Sequence, residues 1–305
     1  MDGWHPVYTS AGWRPAQGSA WATIGTAWLL FSGMNPDAPS SRPSSADEHG
    51  ISHQGPGASG RQNPSSTSAA PSDSGEVRVG GMTLARAGTF EAARQYLSGI
   101  GVHGYPAYDG YNTGSGPNEV HDGDLLAPTL LNVTPRLRGY YTLLDLRADL
   151  ERWLQAIPAD ARLEDADKSD LASLGELFGL VDDKERTPGV GAVTLAKIMH
   201  RRRPSFVPLY DRYVWRCYVG VQNAPITRAK NRSWAVFIPL LAQAIQRDLS
   251  AEGAWFAQIA DLSRNVRIGR LRALDIVAWQ AGHMATPTDE PALGADEVDT
   301  TPLDA

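Results

Sequence analysis

The chain has 305 residues, 42% of them hydrophobic, which is enough to bury a core in one or two domains. A single cysteine, Cys217, excludes an internal disulfide framework and a four-cysteine metal or iron–sulfur site, and suits a reducing cytoplasm. The net charge of −6 hides a segregation: Met1–Asp183 carries 12 basic and 22 acidic residues, Lys184–Arg272 carries 16 and 5, and the remainder carries 7 acidic residues and no basic ones. A segment with a net charge of +11 dominated by arginine points to a surface that meets a polyanion.

Residues 1–81 read as a disordered, low-complexity region. Asn35–Ser74 is rich in Ser, Pro, Gly and Ala and has too few aliphatic residues to offset its ordering entropy. The apolar run Ala20–Met34 is only 15 residues long, short for a membrane span and without the flanks of a signal peptide. The region before Val77 reads as dispensable, with Met82 or a nearby residue as a candidate true start of the protein and the folded part expected from about Met82. A helical domain is expected over 82–285, followed by an acidic tail at 286–305.

Within 82–285 the hydrophobic period is 3.6. Phe90, Ala93, Leu97 and Ile100 share one face. Gly101–Gly123, rich in Gly, Tyr and Asp, reads as a long loop. Leu143, Leu146, Leu150, Trp153 and Ile157 share the next face, with Thr142 and Asp145 at capping-box spacing and Pro158 as a stop. Leu171, Leu174 and Phe178 follow. Trp234, Phe237, Ile238, Leu241, Ile245 and Leu249 form the clearest stripe, with Pro239 as a candidate kink. Ile268–Ala281 is apolar almost all round and reads as a central buried helix. Alternating strands are scarce, and the class is all-α.

The chemistry concentrates in one stretch, Pro188–Cys217. Gly189 and Gly191 open a helix whose Ala192, Leu195, Ala196 and Met199 share a face. A helix start of this kind leaves N–H groups and a positive dipole end toward an anion, or else makes a tight helix–helix turn. Arg201, Arg202 and Arg203 follow, fit either for phosphate or for a solvated helix end. Two further basic clusters are Arg228/Lys230/Arg232 and Arg264/Arg267/Arg270/Arg272. Asp211 precedes Arg212–Val219, a position that favours an aspartate N-cap. Tyr210, Tyr213, Trp215, Tyr218 and Trp234 are candidates for base stacking, with Trp215 and Trp234 read as core. His103, His121 and His200 have no metal-ligand spacing, so no metal and no cofactor are expected. Asp122 and Asp124 close the loop and are read as solvated loop residues, with cation binding as the lesser alternative, and Cys217 as a small buried apolar residue.

The stretch Pro188-Gly189-Val190-Gly191, Thr194, Phe206–Tyr210, Asp211 and Val214/Arg216 resembles the helix-hairpin-helix glycosylase superfamily of base-excision DNA repair. Asp124–Asn132 is similar to an upstream helix of that family, and the likeness extends loosely over Leu125–Ala281. The chain also resembles an uncharacterised bacterial domain family sharing "RPSFVPLYDRYV". The glycosylase resemblance implies an all-α, two-lobed fold with a DNA cleft, and a duplex as partner. Gly189, Val190, Gly191, Thr194, Lys197, Arg201, Arg202, Arg203 and Arg212 would then meet DNA. Asp211 would support the cationic sugar formed as an N-glycosidic bond breaks. Val193 stands where bifunctional members carry lysine, so a monofunctional glycosylase without lyase chemistry is implied. Lys197 is expected to face DNA or solvent, and Arg212 to lie close enough to pair with Asp211. Asn132–Pro135 replaces the family's glutamine-rich loop. The competing expectation is a non-catalytic relative serving as a DNA-binding or protein-interaction module.

Overall fold

The computed structural model describes residues 75–98 and 104–285, all within the second of two units into which the chain separates, Thr67–Ala305. The readings of Asn35–Ser74, Ala20–Met34, Ile100, His103 and the acidic tail lie outside the described residues.

The described part is helical with one small sheet. Strands β1 (Glu76–Val79) and β2 (Met82–Ala85) form an antiparallel hairpin in which Val77 faces Leu84 and Val79 faces Met82. This moves the start of the folded part ahead of Met82. Val77 and Val79 are buried in the core, and the turn is tied down where Gly80 N–H donates to Asp248 at 2.7 Å and Gly81 N–H to the Cys217 carbonyl at 2.8 Å. The alternation of buried and exposed residues along β1 is that of a strand with one face on the core.

Helices follow in chain order: α1 (Arg86–Leu97), α2 (Ala107–Gly110), α3 (Asp122–Leu126), then a 3₁₀ turn at Ala127–Leu131. After these come α4 (Leu137–Ala156), a 3₁₀ turn at Leu163–Asp165, and α5 (Lys168–Gly179). The last are α6 (Ala192–Arg202), α7 (Arg212–Trp215) with a π turn at Arg216–Gly220, α8 (Trp234–Asp261) and α9 (Arg270–Met284).

The apolar stripes of α4, α5 and α8 go into the core as their periodicity requires. Two local readings change. Helix α4 begins five residues before Thr142, so Thr142 caps nothing; its hydroxyl donates to the carbonyls of Arg138 and Pro188 instead. A capping box does form on α5, where Asp167 accepts from Ser169 and Asp170 N–H and Asp170 answers to Asp167 N–H. The non-helical dihedrals in α8 fall at Glu252 and not at Pro239. Pro239 sits near the start of α8 against Gly175 of α5.

Helices α6 and α9 are the most enclosed. Every residue from Ala192 to His200 is buried, as is every residue from Leu271 to Ala278. The loop 111–121 lacks regular structure, as its composition suggests, but Tyr108 just before it is fully buried. The loop runs into α3, whose Asp124 is not a solvated loop residue as expected: it is buried and accepts from Thr113, Ser115 and the His121 N–H.

Candidate functional site

The Gly hairpin is built as a close contact. Gly189 has φ +75°, open to glycine at little cost, and its carbonyl approaches Gly139 of α4 so closely that a Cβ on Gly139 would lie 2.5 Å from it. Gly189 is exposed, whereas Val190, Gly191 and Thr194 are buried. The hairpin turn thus packs against the start of α4 and leaves only its tip to solvent.

Asp211 caps α7. Its Oδ1 accepts from Tyr213 N–H at 2.8 Å and Val214 N–H at 3.0 Å. Its other oxygen takes no hydrogen bond from a described residue. Helix α7 is seated by α9 through a glycine: a Cβ on Gly282 would stand 2.1 Å from the Tyr213 carbonyl, so only glycine lets the two helices meet. Arg216 adds a bond to the Gly282 carbonyl at 3.0 Å. Arg212 does not turn back onto Asp211. Its guanidinium lies over the Tyr213 ring, 4.7 Å from the centroid, and donates to the Tyr213 hydroxyl at 2.6 Å.

Asp211 opens into a half-open cavity of about 80 Å³. Lys197, Arg272, Asp275, Tyr96, Trp279, Leu131 and Asn132 share its wall. Lys197 is 5% exposed, and Nζ donates to the Leu131 carbonyl at 2.9 Å. The expectation that it faces DNA or solvent is therefore corrected: helix α6 is central, so all its faces, including the one bearing Lys197, look inward. Burial lowers the Lys197 ammonium pKa to about 8, against the opposing pull of the Asp211 and Asp275 carboxylates.

Arg272 and Asp275 are an i, i+3 pair on α9. Arg272 also grips Asp109 through Nε at 2.8 Å and Nη2 at 3.1 Å, and reaches the Tyr96 hydroxyl at 3.2 Å. One buried guanidinium thus ties α1, α2 and α9 around the cavity. Burial raises the Asp275 carboxyl pKa to about 6; Arg272 resists this, and the Asp211 charge adds to it. Arg272 is accordingly a wall of the cavity and not one of a row of surface phosphate ligands.

The arginine run is also turned inward. Arg203 is 1% exposed and donates to the carbonyls of Ile157, Leu154 and Pro117 and to Asn118. Arg201 donates to the carbonyls of Tyr108 and Tyr111 and lies over both their rings. Arg202 reaches the Gly116 carbonyl and stands 3.7 Å from Asp124. The three arginines fasten the 108–118 segment, whose carbonyls have no ladder to pair with. Basic side chains remain exposed at Arg228, Lys230, Arg264 and Arg267, while Arg270 pairs with Glu164 at 2.8 Å.

The aromatics divide as chemistry suggests. Tyr210 packs edge-on to Trp234 and Phe237, and Trp215 and Tyr218 are buried. His200 is buried with Nδ1 at 2.7 Å from the Val207 carbonyl; a carbonyl only accepts, so Nδ1 carries the proton. Burial lowers its pKa to about 4. His121 pairs with Glu119 near the surface. Cys217 is buried, its thiol donating to the Ala278 carbonyl at 3.1 Å, and burial pushes it up to about 12. Among the described residues no group of His, Cys, Asp and Glu is placed to hold a metal, and no helix is long and apolar enough to cross a membrane.

The reading of the sequence missed Asp275, Asp109 and Tyr96. One signal was present: Arg272 and Asp275, an ion-pair spacing inside a helix otherwise apolar all round. A charged pair in such a helix has nowhere to go but a buried polar site.

Residues 89–282 match the model of a protein family described as a family of unknown function, DUF6308. The chain belongs to that family. The match contains every residue of the cavity wall and the glycine hairpin, and leaves out β1 and β2. No curated protein and no solved structure matches the chain.

Proposed function

We propose that this member of the family is a DNA-interacting helix-hairpin-helix protein that cleaves an N-glycosidic bond at the cavity beside Asp211. The observation that carries the reading is the half-engaged Asp211. One oxygen is fixed by two backbone N–H groups, the other takes no hydrogen bond from a described residue, Asp211 lines a cavity, and Arg212 lies elsewhere. A fixed carboxylate next to empty space suits a reaction in which positive charge develops on a sugar. As the C–N bond breaks, the electron pair leaves with the base; a water then adds its oxygen to the anomeric carbon, and the proton it gives up ends on the departed base nitrogen. Asp211 would stabilise the cation and orient that water. A base in a duplex would first have to be flipped out.

The test is a panel of oligonucleotides carrying damaged or mismatched bases, incubated with the full chain and with Asp211→Asn. Base release by the parent, with the strand left intact until alkali is added, supports the reading; no release from any member of the panel removes it.

A second reading is a scaffold without catalysis, used as a DNA-binding or protein-interaction module. The observation favouring it is that Arg201, Arg202 and Arg203 bind the protein's own backbone. Under it, duplex binding would survive Asp211→Asn unchanged and no base would be released.

A further inference from the structure

The donor and acceptor groups of the cavity define what fits there. Lys197 has three N–H groups, of which one goes to the Leu131 carbonyl. Arg272 offers little: Nε and Nη2 are on Asp109, Nη1 on Asp275 and Nη2 also on Tyr96. Asp211 accepts only through Oδ1 and Asp275 only through Oδ2, so each keeps one oxygen without a donor among the described residues. Trp279 and Tyr96 supply aromatic wall, 6.1 Å apart between ring centroids, and Leu131, Leu209 and Ile276 supply apolar wall.

An anion such as phosphate would be repelled by the two carboxylates that line the same small cavity. A ligand that only donates would leave the Lys197 N–H groups unmatched, and a cation would also be repelled by them. An apolar ring would leave both an ammonium and two carboxylate oxygens unpaired. What matches is a group with an acceptor beside a donor.

We infer that the cavity binds a small, uncharged planar heterocycle with a lactam edge, its carbonyl taken by Lys197 and its ring N–H by Asp275, which leaves Asp211 for the sugar. The inference rests on the reading of this cavity as the reaction site and narrows it: the base released is an oxo-base with a free N–H, not an alkylated cationic one. Lys197 is then the residue that sets specificity.

The experiment is ligand-observed saturation-transfer NMR with the full chain. The probes are uracil, hypoxanthine, 1,3-dimethyluracil, 1-methylpyridinium and inorganic phosphate. Uracil or hypoxanthine should bind saturably at concentrations up to about 10 mM, a range set by the small number of atoms in such a ligand. The blocked ring should bind at least about tenfold more weakly, because a site built to hydrogen-bond rejects an analogue lacking the group. The cation and phosphate should not compete, and Lys197→Met should erase most of the preference for uracil over its dimethyl analogue. Equal binding of uracil and 1,3-dimethyluracil, or no binding of either lactam, overturns the inference on the parent protein alone, without reliance on a variant that fails to fold. Lactam binding without base release from oligonucleotides would remove the glycosylase reading and leave the ligand class standing. Base release without lactam preference would do the reverse.

Discussion

Lys197 Nζ lies 2.9 Å from the Leu131 carbonyl, inside the cavity into which Asp211 opens. This contact joins α6, which follows the glycine hairpin, to the 3₁₀ turn that precedes α4. It puts an ammonium and two carboxylates against one small space. Charged groups are rarely buried without a partner or a task.

The Lys197 contact has a consequence for stability. Its folded pKa, about 8, is below the usual 10.5, so between those values the unfolded chain binds more protons and stability rises with pH. The difference in unfolding free energy between the parent and Lys197→Met should move in favour of the parent by up to about 3 kcal/mol from pH 8 to pH 10.5. Urea unfolding across that range measures it. A difference independent of pH would mean that Lys197 is hydrated.

His200 acts at the acid end. Its folded pKa is lowered to about 4 from 6.5, so stability is present above pH 6.5 and is lost as the pH falls toward 4. Asn in its place keeps a donor for Val207 and cannot be protonated in this range. Relative to His200→Asn, the parent should lose roughly 2 kcal/mol between pH 7 and pH 5. Chemical denaturation at both values checks this, and parallel losses in the two proteins would contradict it.

Arg203 should behave as a structural residue. Arg203→Met leaves the carbonyls of Leu154, Ile157 and Pro117 without a donor in a buried site, and should cost about 3 kcal/mol or more. The exposed pair Arg264 and Arg267 should behave in the opposite way. Replacing both with Ala should leave the melting temperature near that of the parent and weaken duplex binding, lowering the slope of log K against log salt by up to about 2. Thermal denaturation and salt titration of duplex binding separate the two roles; an unchanged melting temperature for Arg203→Met would contradict the first.

Two glycines should be intolerant. Ala at 139 would set a Cβ against the Gly189 carbonyl, and Ala at 282 would set one against the Tyr213 carbonyl. Both contacts are with backbone, so a helix must shift. Each variant should lose about 2 kcal/mol or more. Gly282→Ala should in addition alter ligand binding in the cavity, because it displaces the helix that Asp211 caps. Melting temperatures and uracil binding of the two variants test this; wild-type behaviour of Gly282→Ala would show that α7 has room.

Helices with a clean stripe were legible from periodicity, because a one-sided helix must show its apolar face to the core. The bounds of α4 were not, since Thr142 and Asp145 imitate a cap while Leu137–Tyr141 has no stripe of its own. The strand β1 was hidden beside low-complexity sequence, in four residues with only two apolar positions. Asp211 as an N-cap followed from local chemistry. Lys197 and Arg203 were misread because a long cation in a basic segment reads as surface, and only tertiary packing reveals that α6 is enclosed. The cavity itself draws on α1, α6, α7 and α9, which no local pattern connects.

The most direct measurement of the central claim is base release by the parent and by Asp211→Asn from the same oligonucleotides. Asn still accepts at a helix N-cap, so α7 should stay in place and only the carboxylate charge is removed. The account predicts release by the parent and a loss of about 100-fold or more in Asp211→Asn, with circular dichroism unchanged. Equal release by both proteins, or none by the parent, would contradict it.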